Sequence, residues 1–138
     1  MIDINFQNGC VLIVGGSGGI GSLCAKQFAD EGAKVAITYF KNEKAANDVA
    51  SGINSNVEVY QLDNKDPVSV QSAMDDIAKK YGGINTIVNA AGFDIPQKFI
   101  TDIDIDLWKS VMDADINGFF NLIKSGLPYL RESKGSIV

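Results

Sequence analysis

Five of the chain's 14 glycines fall within the seven residues from Gly15 to Gly21, and this cluster constrains the fold more than any other feature. Five apolar residues without alternation, Cys10 to Val14, precede it, as in a strand that is covered on both faces. The residues after it are spaced as one apolar stripe of a helix: Ile20, Leu23, Cys24 and Phe28. Gly32 is expected to end this helix. The order is therefore buried strand, glycine loop and amphipathic helix.

The rest of the chain continues the alternation of strands and helices. Strand-like segments span residues 34–40, 57–62, 84–89 and 135–138, and helical spacing marks residues 43–53, 67–81 and 106–130. Asp66 and Pro67 suit the N-cap and first position of a helix. Residues 101–106 alternate like a strand, but their acids also suit the approach to a helix, which we prefer. The pattern predicts an α/β fold in one domain, residues 1–138: a Rossmann-type, doubly wound parallel sheet of about five strands with helices on both faces.

Composition excludes several classes of function. The chain has no histidine, which rules out a serine-histidine-aspartate triad and the usual catalytic zinc sites. Its net charge of −5, without clustered Lys or Arg, argues against a nucleic-acid partner. No apolar run approaches the ~18 residues of a membrane span, and the first residues lack the pattern of a signal peptide. Cys10 and Cys24 are interpreted as free thiols, so we expect a cytoplasmic protein without a metal site.

The glycine loop is the first candidate binding site. It satisfies G-x-G-x-x-G through Gly16, Gly18 and Gly21, and G-x-x-x-G-x-G through Gly15, Gly19 and Gly21, so spacing alone leaves the register open. In either register, backbone N–H groups and a helix N-terminus could hold a pyrophosphate. The residues predicted to contact it are Gly15, Ser17, Gly18, Gly19, Ile20 and Gly21. The alternative is a tight turn without a ligand, while a P-loop is excluded because no Lys follows the glycines.

The end of the second strand bears on the choice of cofactor. In dinucleotide-binding folds an Asp or Glu about 20 residues past the loop contacts the ribose and marks NAD. Here no carboxylate stands between Gly32 and Glu43, and the strand ends in Tyr39, Phe40 and Lys41. Lys41 could pair with a 2′-phosphate, although it could equally be a solvated loop lysine. We therefore favour NADP(H) over NAD(H), with Tyr39 and Lys41 in the binding site.

Three further positions are candidates. Asp63 closes the third strand, where its carboxylate could accept a hydrogen bond from an adenine amino group or be an ordinary loop acid. Small residues close the fourth strand, Asn89-Ala90-Ala91-Gly92, as expected where a ligand approaches the edge of an open sheet. Asn117 and Gly118 are poor helix formers inside the long helix, which suggests a local bend, a bound water or a tolerated polar position.

Together these motifs make the chain resemble the amino-terminal half of a classical short-chain dehydrogenase/reductase. Gly15-x-x-x-Gly19-x-Gly21 is similar to the family's cofactor loop, although Val14 replaces the usual threonine. Asp63 matches the adenine-contacting acid, and Asn89-Ala90-Ala91-Gly92 is similar to Asn-Asn-Ala-Gly. By this resemblance Asn117 is the helix asparagine whose backbone carbonyl holds a water in the proton relay. Residues 135–138 resemble the start of the strand that leads to the catalytic serine.

The resemblance implies hydride transfer between a nicotinamide and a ketone or secondary alcohol, and the overall pattern is similar to that of 3-oxoacyl-thioester reductases and related alcohol dehydrogenases. The family's acid is a tyrosine in Tyr-x-x-x-Lys, but none of the four tyrosines here is followed by lysine at that spacing. We expect the serine and this pair beyond Val138, so that these 138 residues alone are inactive. The alternatives are a non-catalytic dinucleotide-binding module and, less favoured, a methyltransferase.

The apolar stripe of the long helix is wider than one packing face needs. It comprises Trp108, Val111, Met112, Ile116, Phe119, Phe120, Ile123 and Leu127. A second helix-packing surface of this kind suits contact between subunits, although packing on the sheet alone is the alternative. We therefore expect a homo-oligomer, a dimer or a tetramer, that acts on a small carbonyl or alcohol substrate.

Overall fold

Five parallel strands form one sheet in the computed structural model, which describes residue 6, residues 8–53 and residues 57–138. The strands are β1 Cys10–Val14, β2 Val35–Tyr39, β3 Val57–Gln61, β4 Ile84–Asn89 and β5 Ser136–Ile137. Their order across the sheet is β3-β2-β1-β4-β5. The chain thus runs outward from β1 on one side and then returns to the other side of β1. The carboxyl ends of all the strands lie along one edge, where the direction of winding reverses beside β1.

Helices cover both faces of this sheet. They are α1 Gly19–Asp30, α2 Glu43–Ser51, α3 Pro67–Tyr81, α4 Ile105–Met112 and α5 Gly118–Ser133. A π-helical segment, Asp113–Asn117, joins α4 to α5 without a break in the helix. A short 3₁₀ turn, Ile100–Asp102, precedes α4.

Alternate side chains of β1 enter two separate cores. Cys10, Leu12 and Val14 pack with buried residues of α3 and α5, whereas Val11 and Ile13 pack on the other face with α1 and α2. All five β1 residues are at most 1% exposed. The uninterrupted apolar run therefore marks a strand buried on both faces, and the predicted doubly wound fold is confirmed.

Side-chain caps explain where the predicted helices begin. The Asp66 carboxylate accepts from the Val68 N–H at 2.9 Å, and Pro67 follows at the first helical position. The Asp104 carboxylate accepts from the Leu107 N–H at 2.7 Å. Residues 101–104 accordingly lead into α4, residues 105 and 106 form its first positions, and no strand forms here, as expected.

The predicted apolar stripe of α1 is only partly correct. Ile20 and Leu23 are 74% and 70% exposed, whereas Gly21 and Ala25 are buried against the sheet. A Cβ built on Gly21 would overlap the carbonyl oxygen of Gly15. The helix thus packs closely against the glycine loop through its smallest residues. The prediction from hydrophobic spacing therefore placed the wrong side of its first two turns against the sheet.

Candidate functional site

A cleft of about 480 Å³ opens at the carboxyl edge of the sheet. It is lined by Val14, Gly15, Ser17, Gly18, Thr38, Tyr39, Phe40, Lys41, Leu62, Asp63, Asn64, Lys65, Ala90, Ala91, Gly92, Phe93, Asp94 and Ala114. These residues come from the ends of β1 to β4 and from the π segment. Because parallel strands share their carboxyl edge, segments far apart in sequence meet in one place.

Thr38 holds the start of the glycine loop. Its buried hydroxyl accepts from the Gly15 N–H at 3.2 Å, and its carbonyl accepts from the Gly16 N–H at 3.0 Å. The Gly18 N–H then donates to the Gly15 carbonyl at 3.1 Å, which closes a tight turn. The loop is therefore fixed to the end of β2 before α1 begins.

The amino terminus of α1 differs from those of α2, α3 and α4. Asn42, Asp66 and Asp104 each cap their helix through a side-chain oxygen, whereas the N-cap of α1 is Gly18, which makes no such bond. No acidic residue lies in the first turn of α1. The positive end of this helix is thus left without an acceptor from its cap, beside the cleft that Gly18 lines.

The five loop glycines fall into two groups. A Cβ on Gly15 would lie 2.8 Å from the Ala91 backbone, one on Gly16 would lie 2.5 Å from Ile37 Cβ, and one on Gly21 would overlap Gly15. Gly15 also has a φ of +78°, a conformation that favours glycine. By contrast, a Cβ on Gly18 would touch only the Gly15 carbonyl at 3.4 Å, and one on Gly19 would meet nothing within 4 Å. Internal packing therefore requires three of the glycines and leaves open space beside the other two.

Aromatic and charged side chains surround the cleft where β2 and β3 end. Tyr39 is half-buried, and its burial together with the nearby Glu43 carboxylate raises the pKa of its hydroxyl above the usual value. Lys41 Nζ lies 5.2 Å from the centroid of the Phe40 ring. Asp63 Oδ1 accepts from the Lys65 N–H at 3.0 Å. This end of the cleft therefore presents cations and a carboxylate a few residues apart.

The end of β4 brings small residues against the glycine loop. The Ala90 N–H donates to the Val14 carbonyl at 2.9 Å, which continues the β1 and β4 pairing to the cleft. Ala91 packs against Gly15, and Gly92 is exposed beside it. The buried Asn89 Oδ1 has no hydrogen-bond partner among the described residues. The small side chains keep this part of the edge open.

The π segment closes the cleft on the side of α4. Gly118 N–H donates to the carbonyl of Asp113, five residues back, and such a shift leaves a carbonyl free for another donor. Asn64 fills this role, since its Nδ2 donates to the Ala114 carbonyl at 2.9 Å. Asp115 Oδ1 accepts from the Phe93 N–H at 2.9 Å. The segment is thereby bonded to the loops after β3 and β4.

The structure brings most of the predicted site residues together. Those that line the cleft are Gly15, Ser17, Gly18, Tyr39, Lys41, Asp63, Ala90, Ala91 and Gly92. Gly19, Ile20 and Gly21 form the first turn of α1, and Asn89 ends β4. The side chain of Asn117 is exposed and donates to Asp113 Oδ1 at 2.8 Å, so it does not join this lining.

Sequence reasoning missed several residues of the site. Phe40 follows β2 directly, and Asn64 and Lys65 lie in the turn after β3, so position at the shared edge was a usable signal. Asp115 lies two residues before the predicted Asn117, and its contact with Phe93 depends on where the π segment forms. No pattern in the sequence marks that contact.

No group of three or more possible metal ligands occurs among the described residues. Burial raises the pKa of the Cys10 thiol to about 12, so the thiol stays protonated at neutral pH. Of the helices that the structure describes, none has both the length and the apolar character needed to cross a bilayer.

Comparison with known proteins shows to which family the chain belongs. The family model for short chain dehydrogenase matches residues 9–138. Meso-2,3-butanediol dehydrogenase of Serratia marcescens is 31% identical over 98% of the chain, which covers 53% of that relative. An uncharacterized oxidoreductase of Staphylococcus epidermidis is 33% identical over 92% of the chain and 55% of its own length.

Solved structures agree with the sequence relatives. A short chain dehydrogenase from Burkholderia cenocepacia, in complex with NADP, superimposes with a TM-score of 0.81 at 31% identity, over 91% of this chain and 52% of that one. Levodione reductase gives a TM-score of 0.88 at 22% identity, which bears on the fold alone. The chain thus spans about half the length of these proteins. It belongs to the short-chain dehydrogenase family.

Proposed function

We propose that the chain binds NADP(H) in the cleft and is the cofactor-binding part of an oxidoreductase. The reaction would move a hydride between the nicotinamide and a ketone or secondary alcohol. The bound cofactor supplies the hydride chemistry, and the chain's own residues bind and orient it. The observation that carries the proposal is the uncapped N-terminus of α1 beside a glycine loop whose Gly18 and Gly19 have open space.

The pyrophosphate is assigned to the glycine loop. A phosphate there would meet backbone N–H groups and the positive end of α1, which supply an anion with donors and favourable charge. The open space beside Gly18 and Gly19 leaves room for close approach of backbone and ligand. The adenosine is assigned to the end of β3, where Asp63 could accept from the adenine amino group.

The preference for NADP(H) rests on Lys41. This lysine lines the cleft, and no acid precedes it between Gly32 and the end of β2. We expect Lys41→Asp to weaken NADPH by about tenfold and NADH by less than twofold, since the new carboxylate repels only the 2′-phosphate. Titration of each cofactor by NMR or calorimetry measures both constants, and shifts at the glycine loop report on pyrophosphate contact.

A matched control separates local contact from general charge. Lys44→Asp makes the same change three residues further on, at an exposed position of α2 that does not line the cleft. It should leave the ratio of NADPH to NADH affinity unchanged. Equal weakening of both cofactors by Lys41→Asp would remove the proposed phosphate contact, and absence of binding by either cofactor would remove the proposed function.

The catalytic acid is proposed to come from outside these 138 residues. No tyrosine here precedes a lysine by four residues, so we expect the chain to bind cofactor without turning over substrate. Detection of hydride transfer by the purified chain would contradict this proposal. The role of Asn117 in a proton relay stays a prediction. A protein that binds the cofactor without catalysis is the alternative, and a natural stop at Val138 would favour it.

The substrate class is proposed from the relatives. They include a meso-2,3-butanediol dehydrogenase, a sulfoacetaldehyde reductase and a sorbose reductase, whose names describe carbonyl and alcohol compounds. A small ketone or secondary alcohol fits two of these names, butanediol and sorbose, whereas sulfoacetaldehyde is an aldehyde. Specificity for a 3-oxoacyl thioester stays a prediction. A cytoplasmic location is proposed because Cys10 and Cys24 are both free thiols, as a reducing compartment would keep them.

A homo-oligomer is proposed from an exposed apolar face along the long helix. The face comprises Ile105, Trp108, Ile116, Phe120 and Leu127, each between 38% and 62% exposed. The opposite side of α5 is buried in the core through Leu122 and Leu130. These two core residues lie outside the stripe read from the sequence. Four residues of that stripe are exposed, Trp108, Ile116, Phe120 and Leu127, and its other members are only partly buried. We assign the exposed face to a second copy of the chain.

This assignment predicts the effect of charge on association. Trp108→Glu combined with Phe120→Glu should convert the oligomer to a monomer at micromolar concentration, because two carboxylates would be buried without partners. Analytical ultracentrifugation measures the change. Val68→Glu, at an exposed apolar position of α3, is the control and should leave the mass unchanged. A wild-type chain that sediments as a monomer would contradict the proposal.

A further inference from the structure

Two lysines from different loops converge on one aromatic ring in the cleft. Lys41 Nζ lies 5.2 Å from the centroid of the Phe40 ring, and Lys65 Nζ lies 5.7 Å from the same centroid. Lys41 follows β2, whereas Lys65 lies in the turn between β3 and α3. All three side chains line the cleft. Two lysines that are 24 residues apart in the sequence therefore meet at one end of the cleft.

Within the part of the chain that the structure describes, neither ammonium group forms an ion pair with a carboxylate. The ion pairs within the described residues join Lys26 to Asp30, Lys44 to Asp48 and Lys80 to Glu58, and none of them involves Lys41 or Lys65. This is notable in a chain with a net charge of −5. The face of an aromatic ring attracts a cation, so Phe40 holds both ammonium groups nearby although they repel each other. An anion between them would relieve that repulsion.

The backbone of both loops is fixed. Leu62 N–H donates to the Tyr39 carbonyl at 2.8 Å, and Gln61 Nε2 donates to the Phe40 carbonyl at 3.2 Å. These bonds hold the end of β2 beside the end of β3. Asp63 accepts from the Lys65 N–H, which fixes the start of the turn that carries Lys65. Both lysines therefore extend from ordered backbone toward the same ring.

We propose that Lys65 is a second specificity residue, which binds the ribose phosphate of the nucleotide together with Lys41. This inference rests on the proposed function and extends it to a residue on another loop. A phosphomonoester carries nearly two negative charges at neutral pH and has three acceptor oxygens, so it can bind two cations at once. The nearby Asp63 carboxylate would repel the phosphate, so the phosphate is expected on the side of the cleft that carries the two lysines. Phe40 attracts both ammonium groups to one ring, at 5.2 and 5.7 Å from its centroid.

Small probes test this inference without the nicotinamide. Adenosine 2′,5′-bisphosphate and 5′-AMP differ only in the 2′-phosphate, and their affinities for the purified chain can be measured by NMR titration. Lys65→Ala should weaken the bisphosphate by about fivefold to tenfold and leave 5′-AMP within about twofold, since only the former offers the second anion. Lys65→Arg should restore the preference because it keeps the charge. Added salt should weaken the bisphosphate more steeply than 5′-AMP.

The control makes the same charge change at the opposite edge of the sheet. Lys34 is exposed just before β2, so Lys34→Ala should leave the ratio of the two affinities unchanged. Equal weakening of both probes by Lys65→Ala would overturn the inference while nucleotide binding stands. Stronger Lys65-dependent binding of adenosine 3′,5′-bisphosphate would also overturn it, because the lysines would then read another phosphate. If the wild-type chain binds none of the probes, that result contradicts the proposed function itself and not only the role of Lys65.

Discussion

Gly21→Ala is expected to destabilise the chain by about 3 kcal/mol or more, because the new methyl group has no space. A Cβ at this position would overlap the Gly15 carbonyl oxygen and lie 2.9 Å from Gly16 Cα. Both atoms belong to backbone that Thr38 holds through two hydrogen bonds, so the loop has little freedom to yield. The helix would have to move away from the sheet. Such a loss is a large fraction of the 5 to 15 kcal/mol typical of a domain.

Gly19→Ala separates the two roles that the loop glycines combine. A Cβ at Gly19 meets no atom within 4 Å, so the unfolding free energy should change by less than about 0.5 kcal/mol. The methyl group would instead occupy space assigned to the pyrophosphate. We therefore expect nucleotide affinity to fall by about tenfold in a variant that folds normally.

Urea unfolding and nucleotide titration measure the two variants side by side. The expected result is a large loss of stability for Gly21→Ala and a loss of binding alone for Gly19→Ala. If Gly19→Ala bound NADPH with wild-type affinity, the pyrophosphate would not lie beside this residue. If Gly21→Ala unfolded at the wild-type urea concentration, the loop would have to be more adaptable than its hydrogen bonds indicate.

The sequence predicted the parts of this fold that local patterns determine. Residues 84–89 were predicted as a strand, and the structure has the same bounds; four of the six residues are β-branched, Ile84, Thr86, Ile87 and Val88. The residues that line the cleft at the ends of β1 to β4 could be predicted from these strands, because the strands of a parallel sheet all end at one edge. For these residues, strand order and strand ends suffice to predict that they line one cleft.

The remaining features depend on contacts between distant segments. Asn64 and Ala114 are 50 residues apart, and their hydrogen bond exists only because the helix widens between Asp113 and Asn117. The sequence showed that Asn117 and Gly118 are poor helix formers, but not that a π segment would form there. Similarly, Ile20 fits the helical period and is nevertheless exposed, because Gly21 makes the close contact.

Gly118 and Asn64 should prove energetically coupled. A Cβ on Gly118 would lie 2.6 Å from Asn64 Cγ, so Gly118→Ala must displace the side chain that donates to the Ala114 carbonyl. We expect this variant to lose about 1 to 3 kcal/mol, the cost of leaving a partly buried polar group without its partner. Asn64→Ala should lose a similar amount for the same reason.

The double variant distinguishes this arrangement from two independent defects. Once Asn64→Ala has removed the amide, Gly118→Ala has space for its methyl group and gains helix propensity worth up to about 1 kcal/mol. The sign of the Gly118→Ala effect should therefore reverse between the two backgrounds, which gives a coupling energy of about 1 to 4 kcal/mol. Urea unfolding of the four proteins in the cycle measures it. Additive losses would mean that Asn64 does not support the π segment, and that the segment is held by its own helix and by the Asp115 bond to Phe93.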